Sequence, residues 1–431
     1  MELPEAFESY TRELMGEHLY RQFKDGLDQP SPVSIRINPF KYTLNVKDIP
    51  SLDSMVPWCR NGIYLKDRPA FTFDPLLHAG VYYVQEASSM FLDHVLRQVI
   101  HQPVTALDLC AAPGGKTTCA MSALPQGSIL FSNEPIHNRA QILNENILKF
   151  GHPDIIVTNN AAKDYQKSGI HFDLILTDVP CSGEGMFRKD EKAIHEWSSA
   201  NIGRCQTLQR DIVGDIWPCL KPGGLMVYST CTFNTEEDEK NVMWIASELG
   251  ADFIPVTTQP EWKITGALYP HTNASAALPV YRFIPGRTKG EGLFLAILKK
   301  RGVSALTAGA PSWRSIEKKT EKYLKVLSHG ICPDEQKGKE RIPDISKALS
   351  LFSDNNYFRI NVDASQAITY LRREALMPVT GCPTGIVLIC YKDFPLGFAK
   401  NIGHRINNLY PKEWKIKSTH IQNINNKVIN I

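Results

Sequence analysis

Two cysteines in this chain each follow a short apolar run: Cys181 in DVPCS (178–182), after FDLIL, and Cys231 in STCT (229–232), after LMVY. A thiolate is a potent nucleophile, and Asp178, three residues from Cys181, offers a polar group to steer a substrate toward it. A lone cysteine is usually an inert small hydrophobe. Two of them at the ends of consecutive strands share one cleft, because consecutive strands are usually neighbours. Metal ligation fits poorly, since the chain has no C-x-x-C pair and no histidines cluster near either cysteine.

A second constellation is DLCAAPGGKTT (108–118). Gly114 and Gly115 let the backbone approach a ligand, and a helix start behind them offers unpaired N–H groups. GGKT imitates a phosphate-cradling loop, but that motif needs glycine where Cys110 stands, and G-x-G-x-x-G is absent too. Glu134 ends the next apolar run about 20 residues on, where an acid can accept both hydroxyls of a ribose. Glycine loop plus acid, without a phosphate motif, fits an adenosyl ligand that lacks a triphosphate. S-adenosylmethionine is the expected cofactor.

A thiol beside a methyl sulfonium suggests a particular reaction. Carbon 5 of a pyrimidine is too weak a nucleophile to take the methyl directly. Thiolate addition at carbon 6 makes the ring an enamine, and carbon 5 then becomes reactive. A second group must remove the carbon 5 proton before the thiol can leave. Asp178 is placed to bond ring N3 and the exocyclic amine, although donation to N3 requires it to be protonated. The nucleotide must be unpaired or extruded from its stack. These residues alone leave open which cysteine attacks.

The elements positioning these groups alternate. Apolar runs at 105–109, 129–132, 155–158, 172–177 and 225–230, with a last one near 293, alternate with helical periodicities. One helix is expected to place Ile136, Ala140, Leu143, Ile147 and Phe150 on one face, with Pro135 opening it. Another is expected to carry Leu208, Ile212, Ile216 and Leu220, and Asn234 or Thr235 to cap the next. This is an α/β pattern: a mostly parallel, Rossmann-like sheet with helices on both faces. Every loop singled out above falls at a C-terminal strand end, where such sheets bind ligands.

Outside that core, residues 4–25 read as an amphipathic helix with Phe7, Leu14, Leu19 and Phe23, and PVSIRINP (32–39) as a strand before a polar, Pro-containing stretch reaching about residue 80. Residues 301–320 read as a linker, and 385–401 as a hairpin around KDFP in a small α+β module. The expected organisation is 1–100, an N-terminal α+β extension; 101–300, the catalytic domain; 301–320, a linker; and 321–431, a C-terminal module. A length of 431 residues suits roughly two to four domains. Its 43% hydrophobic and 22% charged residues are ordinary for a globular protein.

No apolar run approaches the ~20 residues of a membrane span, and MELPEAFESYTREL is unlike a secretory signal. Ten cysteines without a dense framework suit reduced thiols in the cytoplasm. Residues 301–431 hold 20 Lys+Arg against 11 Asp+Glu, a balance of +9, whereas the first 300 hold 28 against 34, a balance of −6. A basic module beside an acidic body suggests an anionic partner, nucleic acid first.

CAAPGGKT, NEP, DVPCSGEG with the following MFRKD, KPGG and STCT, in this order and spacing, resemble the RNA 5-methylcytosine methyltransferases of the Sun family, in layout its bacterial RsmF-type branch. PVSIRINP and YYVQEASSM (82–90) match segments upstream of that family's core. The resemblance implies Cys231 as nucleophile, Cys181 as the thiol assisting release, and Asp178 between cofactor and cytosine. Cys110, Ala111, Ala112, Pro113, Gly114, Gly115 and Lys116 would line the methionine and ribose side, with Lys116 bridging to Asp178, and Glu134 would hold the ribose. Asn160 stands where many relatives carry an acid that accepts from the adenine amine.

The C-terminal module resembles PUA-like RNA-binding tails. Lys400, His404, Arg405, Lys412, Lys415 and Lys417, interleaved with Tyr410 and Trp414, would meet phosphates and splayed bases. Arg36 and Lys189 are the expected RNA contacts upstream. The implied activity is methylation of carbon 5 of a cytosine in ribosomal RNA, of the small subunit first, with no metal and no membrane involved. A transfer RNA substrate and a catalytically silent RNA-binding relative are the alternatives. Oligomeric state is not legible.

Overall fold

The computed structural model describes residues 1–268, 278–303, 313–338, 340–351, 356–418 and 428–430. Its first helix, α1 (Glu5–Leu27), is broken at Gly16, whose φ of 70° and ψ of 161° lie outside helical space. The apolar stripe changes phase there, so Met15 and Tyr20 are buried while Leu14 and Leu19 are only half-buried. Phe7, Tyr20 and Phe23 pack with Phe187, Trp197 and Phe233, laying α1 over the loops that carry the two cysteines.

The stretch before residue 80 is more ordered than its polarity suggests. β1 (Val33–Ile37), β2 (Leu52–Met55), β3 (Gly62–Leu65) and β4 (Tyr82–Val84) form an antiparallel sheet in the order β2-β3-β1-β4, with α2 (Pro75–His78) before the last strand. Helix α3 (Phe91–Val99) leads out of it.

The expected alternation then follows: β5 (Thr105–Asp108), α4 (Gly115–Ala123), β6 (Ile129–Asn133), α5 (His137–Phe150), β7 (Ile155–Thr158), α6 (Ala162–Ser168) and β8 (Phe172–Asp178). After α7 (Glu191–Glu196) come α8 (Ser199–Ile216), β9 (Leu220–Thr230), α9 (Glu239–Glu248), β10 (Ala251–Phe253), β11 (Val280–Phe283) and β12 (Leu293–Lys300). The sheet runs β10-β12-β9-β8-β5-β6-β7-β13, where β13 is Val326–His329 and β11 pairs with β12. The five strands from β9 to β7 are parallel; β10, β12 and β13 are antiparallel to their neighbours. Apolar clusters cover both faces. Winding reverses between β5 and β8, which opens a crevice beyond their C-terminal ends.

Several sequence expectations shift by a residue or an element. Pro135 precedes α5 rather than opening it, and Ile136 is its exposed cap. The buried side of α8 is Ile202, Gln209, Val213 and Ile216, while Leu208 is 47% exposed. Asp238 stands at the start of α9 with its carboxylate on Thr230, Thr232 and Arg282 rather than on the helix, while Asn234 caps the turn before it by accepting the Glu237 N–H at 2.9 Å. Of the expected linker 301–320, residues 304–312 lie outside the described residues and 313–320 belong to α10 (Trp313–Tyr323); β13 pairs with β7, so the catalytic sheet reaches past residue 321.

Beyond β13 lie β14 (Glu335–Lys337), β15 (Glu340–Ile342), α11 (Ile345–Leu349), β16 (Phe358–Asn361), α12 (Ala364–Leu371), β17 (Gly385–Tyr391), β18 (Phe394–Asn401) and β19 (Ile406–Asn408). The last four strands form one sheet, and β17–β18 is the expected hairpin, turning at Lys392 and Asp393 with φ of 49° and 67°. Ile35 and Tyr82 of the N-terminal sheet, with Val81 just before β4, share a single apolar cluster with Leu371, Val387 and Ile389. At Gly151, φ 81°, an added Cβ would lie 2.2 Å from the Leu349 carbonyl, so α5 and α11 approach as only glycine allows. The C-terminal module is thus built onto the rest of the chain rather than tethered to it. No helix among the described residues is long and apolar enough to cross a membrane.

Candidate active site

Strand register brings the thiols together. In the parallel pair β8–β9, Asp178 stands opposite Ser229, so Cys181 and Cys231 leave the sheet at nearly the same level. Their sulfurs lie 3.1 Å apart. That shared contact, then burial, holds the Cys181 thiol well above the ordinary cysteine value.

Asp178 accepts on both oxygens, from the Ser229 hydroxyl at 2.8 Å and from Lys116 Nζ at 2.9 Å. Both oxygens are thus engaged at the end of β8, one with the β9 end and one with the first turn of α4. Burial works to depress the Lys116 ammonium, but the adjacent Asp178 carboxylate more than offsets it, and the net shift is upward. Lys116 therefore stays a cation, and it links the glycine loop to the cysteines.

The loop itself is fastened from below. Asn133 Nδ2 donates to the Leu109 and Asn160 carbonyls, and Ala111 N–H donates to the Asn133 carbonyl at 2.8 Å. Asn146 Nδ2 donates to the Pro113 carbonyl at 2.8 Å, and Arg139 reaches that of Ala112 at 3.3 Å. Gly114 takes φ 111° as it opens α4. Cys110 is half-buried, and burial pushes its thiol up. Its side chain packs against the apolar cluster on one face of the sheet.

Glu134 is 1% exposed, and its Oε1 accepts the Ile136 N–H at 3.0 Å. Its Oε2 is buried without a hydrogen-bond partner, the nearest cation being Arg139 at 3.4 Å. A buried carboxylate oxygen left unbonded is costly unless something completes it. Ribose hydroxyls would do so, and the residues present therefore fit an adenosyl cofactor. Asp108 was missed from sequence and shows the same signature. Its Oδ2 accepts from Thr117, its Oδ1 is an unpartnered buried atom, and burial raises its pKa to about 7. It ends β5 directly before the glycine loop, and its bond to Thr117 ties it to the helix that follows that loop. An aspartate at a strand end just before a glycine loop was the available signal.

Three expectations need correcting. Asn160 does not offer its amide to an adenine: Oδ1 accepts the Lys325 N–H at 2.9 Å and Nδ2 donates to the Lys325 carbonyl, pinning the chain that enters β13. Arg36 is 1% exposed and bonds Gln85, Thr118 and Ser122, stapling the N-terminal sheet to α4. It is no surface contact for RNA. Tyr410 is fully buried and Trp414 half-buried, edge-on to each other in the shared core, so stacking on bases is not open to Tyr410.

The surface cations divide. Lys189 lies 3.5 Å from Glu291, and Lys400 makes a two-oxygen contact with Glu340. Arg405, His404, Lys412, Lys415 and Lys417 are exposed. Lys415 and Lys417 join Arg372 around a cleft of about 430 Å³.

Comparison with known proteins gives a consistent picture. Three family models match successive parts of the chain: the N-terminal domain of 16S rRNA methyltransferase RsmF over 3–87, 16S rRNA methyltransferase RsmB/F over 97–299, and the methyltransferase RsmF PUA domain over 357–416. Ribosomal RNA small subunit methyltransferase F of Enterobacter sp. is 27% identical, with 95% of each chain covered. The protein of that description from Cronobacter sakazakii is 28% identical, covering 95% of this chain and 96% of its own. Among solved structures, a methyltransferase homolog protein from Pyrococcus horikoshii is 25% identical with a TM-score of 0.56, over 69% of this chain and 95% of that one. NSun6 from the same organism shares the fold at 20% identity and a TM-score of 0.57, over 70% of this chain and 99% of that one.

Proposed function

Since the chain belongs to the RsmB/F family of 16S rRNA methyltransferases and is an S-adenosylmethionine-dependent enzyme, we propose that it methylates carbon 5 of a cytosine in small-subunit ribosomal RNA through a transient Cys231–carbon 6 bond. The observation that carries this reading is the sulfur pair, 3.1 Å apart, beside the Lys116–Asp178 ion pair.

When bound, the cofactor supplies an electrophilic methyl group. Everything else falls to side chains. With Cys181 as the donor of the shared S–H, Cys231 is the acceptor and attacks as the thiolate, its own proton having passed to solvent. Its sulfur bonds carbon 6, and the carbon 5–carbon 6 π pair moves to carbon 5, which takes the methyl. Asp178 accepts from the exocyclic amine, and Lys116 beside it donates to a ring acceptor, holding the base as charge shifts. Once Cys231 is bonded to carbon, it no longer restrains Cys181, whose sulfur stands in contact with the reacting centre. Cys181, its own proton passed to solvent once Cys231 is carbon-bonded, takes the carbon 5 proton; the C–H pair restores the double bond, the carbon 6–sulfur pair leaves on Cys231 as thiolate, and Cys181 is again the S–H donor.

Glu134 would hold the ribose, and residues 110–116 the rest of the cofactor. The exposed cations of the C-terminal module, Arg405 and Lys415 foremost, would hold RNA, in the cytoplasm where ribosomal subunits are assembled. Bisulfite sequencing of ribosomal and transfer RNA, with wild-type protein, with Cys231→Ala and without either, tests this. The expected result is a ribosomal cytosine protected only by the wild type. Protection confined to transfer RNA, or retained by Cys231→Ala, would overturn it.

A further inference from the structure

Two buried carboxylates cross between the cysteine loops in opposite directions. Glu184 follows Cys181 in the chain, yet its Oε2 accepts the Phe233 and Asn234 N–H groups beyond Cys231, at 2.7 and 3.1 Å. Its Oε1 accepts from Asn234 Nδ2 at 3.1 Å and Trp197 Nε1 at 3.0 Å. Glu237 follows Cys231, yet its Oε2 accepts the Ser182 N–H next to Cys181 at 3.0 Å and Gln209 Nε2 at 2.7 Å. Its Oε1 accepts from Asn234 Nδ2 at 2.8 Å, so one asparagine joins both acids. Between them, Gly185 N–H donates to the Cys231 carbonyl at 2.7 Å, and an added Cβ there would lie 2.6 Å from that same oxygen.

The outer shell is equally committed. Gln209 also donates to the Pro180 carbonyl at 2.9 Å, and Tyr10 of α1 accepts the Thr235 N–H at 3.1 Å. On the far side Arg282 binds the Phe233 carbonyl, Asp238 and Glu239 in a fully buried group. Glu184, Glu237, Asn234 and Gln209 are all buried. Burying two carboxylates on hydrogen bonds is a poor way to gain stability, because well-packed apolar side chains of similar volume usually do as well or better. What a carboxylate adds is direction: each acid takes N–H groups only from a loop held at one distance and angle.

We propose that Glu184 and Glu237 are positioning residues, a reciprocal clasp that keeps the Cys181 sulfur against Cys231 so that release of methylated product keeps pace with methyl transfer. This rests on Cys231 being the nucleophile and Cys181 the release thiol. Glu237 acts on the Cys181 loop through Ser182, and Glu184 acts on the Cys231 loop. Loosening Glu237 therefore leaves attack possible and impairs proton removal and carbon 6–sulfur cleavage.

The test compares wild type, Glu237→Gln, Cys181→Ala and the double variant on ribosomal RNA. It reads turnover, cofactor affinity and the fraction of protein that stays on RNA through denaturing electrophoresis. In Glu237→Gln the amide NH₂ confronts either Asn234, which joins both acids, or Ser182 together with Gln209, so at least one bond of the clasp is lost. The expected result is turnover down by about tenfold or more, as for one charge-assisted hydrogen bond, with cofactor affinity kept and the denaturation-resistant adduct enriched. Adding Glu237→Gln to Cys181→Ala should change nothing further, because both act on one step.

An adduct in Cys181→Ala but none in Glu237→Gln, or losses that multiply in the double variant, would overturn the clasp alone. Absence of adduct in every variant would overturn the cysteine reading and the clasp with it. If Glu237→Gln loses cofactor affinity, Glu237→Asp is read by the same criteria, since it withdraws from Ser182 while keeping the charge.

Discussion

Replacing Glu134 by glutamine tests the proposed ribose contact while keeping the bond to the Ile136 N–H, at the cost of the charge facing Arg139 3.4 Å away. The wild-type Oε1 accepts the Ile136 N–H at 3.0 Å, and a glutamine carbonyl can keep that bond. What changes is Oε2, now a buried atom without a hydrogen-bond partner. In glutamine it becomes an NH₂ group, which donates and cannot accept. A hydroxyl that donated to the carboxylate then loses a bond of the charged class, worth about 1.5–3 kcal/mol. At about 1.4 kcal/mol per factor of ten, cofactor affinity should fall by about 10- to 150-fold. Titration calorimetry with S-adenosylmethionine reads this directly. Steady-state kinetics should show the change in the cofactor KM with kcat nearly preserved, because the ribose contact is the same in ground and transition states. Glu134→Ala should be worse in stability, since it also strands the Ile136 N–H. Unchanged cofactor affinity in Glu134→Gln would refute the reasoning.

The remaining predictions concern charge and burial. Asp108, with a pKa raised to about 7 by burial, is protonated in the folded state between its unfolded value of about 3.9 and 7, so its contribution to stability is full below that window and is lost as pH rises through it. The difference in urea midpoint between Asp108→Asn and wild type, negligible at pH 4, should grow in favour of the variant up to about pH 7 and then level off; a constant difference would contradict the shift. Lys415→Glu with Lys417→Glu should weaken RNA binding and flatten its salt dependence while leaving cofactor affinity alone, measured by filter binding over a salt series. Arg36→Met should lower the thermal midpoint by several degrees through loss of three hydrogen bonds, two of them buried, without a matching change in the salt dependence of RNA binding.

The catalytic framework was legible because its signals are local. Strand alternation at 105–230 and glycine at 114–115 report directly on backbone geometry, and the Asp178–Ser229 register then carries Cys181 and Cys231 into one place. Polar burial was not legible. Gln209 sits where Leu208 was expected because Tyr228, Asn241 and Glu237 bond it, and hydropathy scores glutamine as exposed. Arg36 and Asn160 failed for the same reason: an arginine in a strand and an asparagine at a strand end look available until their partners, Thr118 and Lys325, arrive from 82 and 165 residues away. Tyr410 looked like a stacking platform because the core it fills belongs jointly to two distant segments. That joint core also means removal of residues 321–431 would strip β7 of β13 and expose the N-terminal sheet, so charge reversal at the surface is the better probe of RNA binding.

The most direct measurement of the central claim is the covalent state of Cys231 itself. Cys181→Ala protein, incubated with ribosomal RNA and cofactor and run under denaturing conditions, should carry an RNA adduct that peptide mass spectrometry assigns to position 231. Adding Cys231→Ala should abolish it. An adduct mapped to another residue, or one that survives Cys231→Ala, would contradict the account.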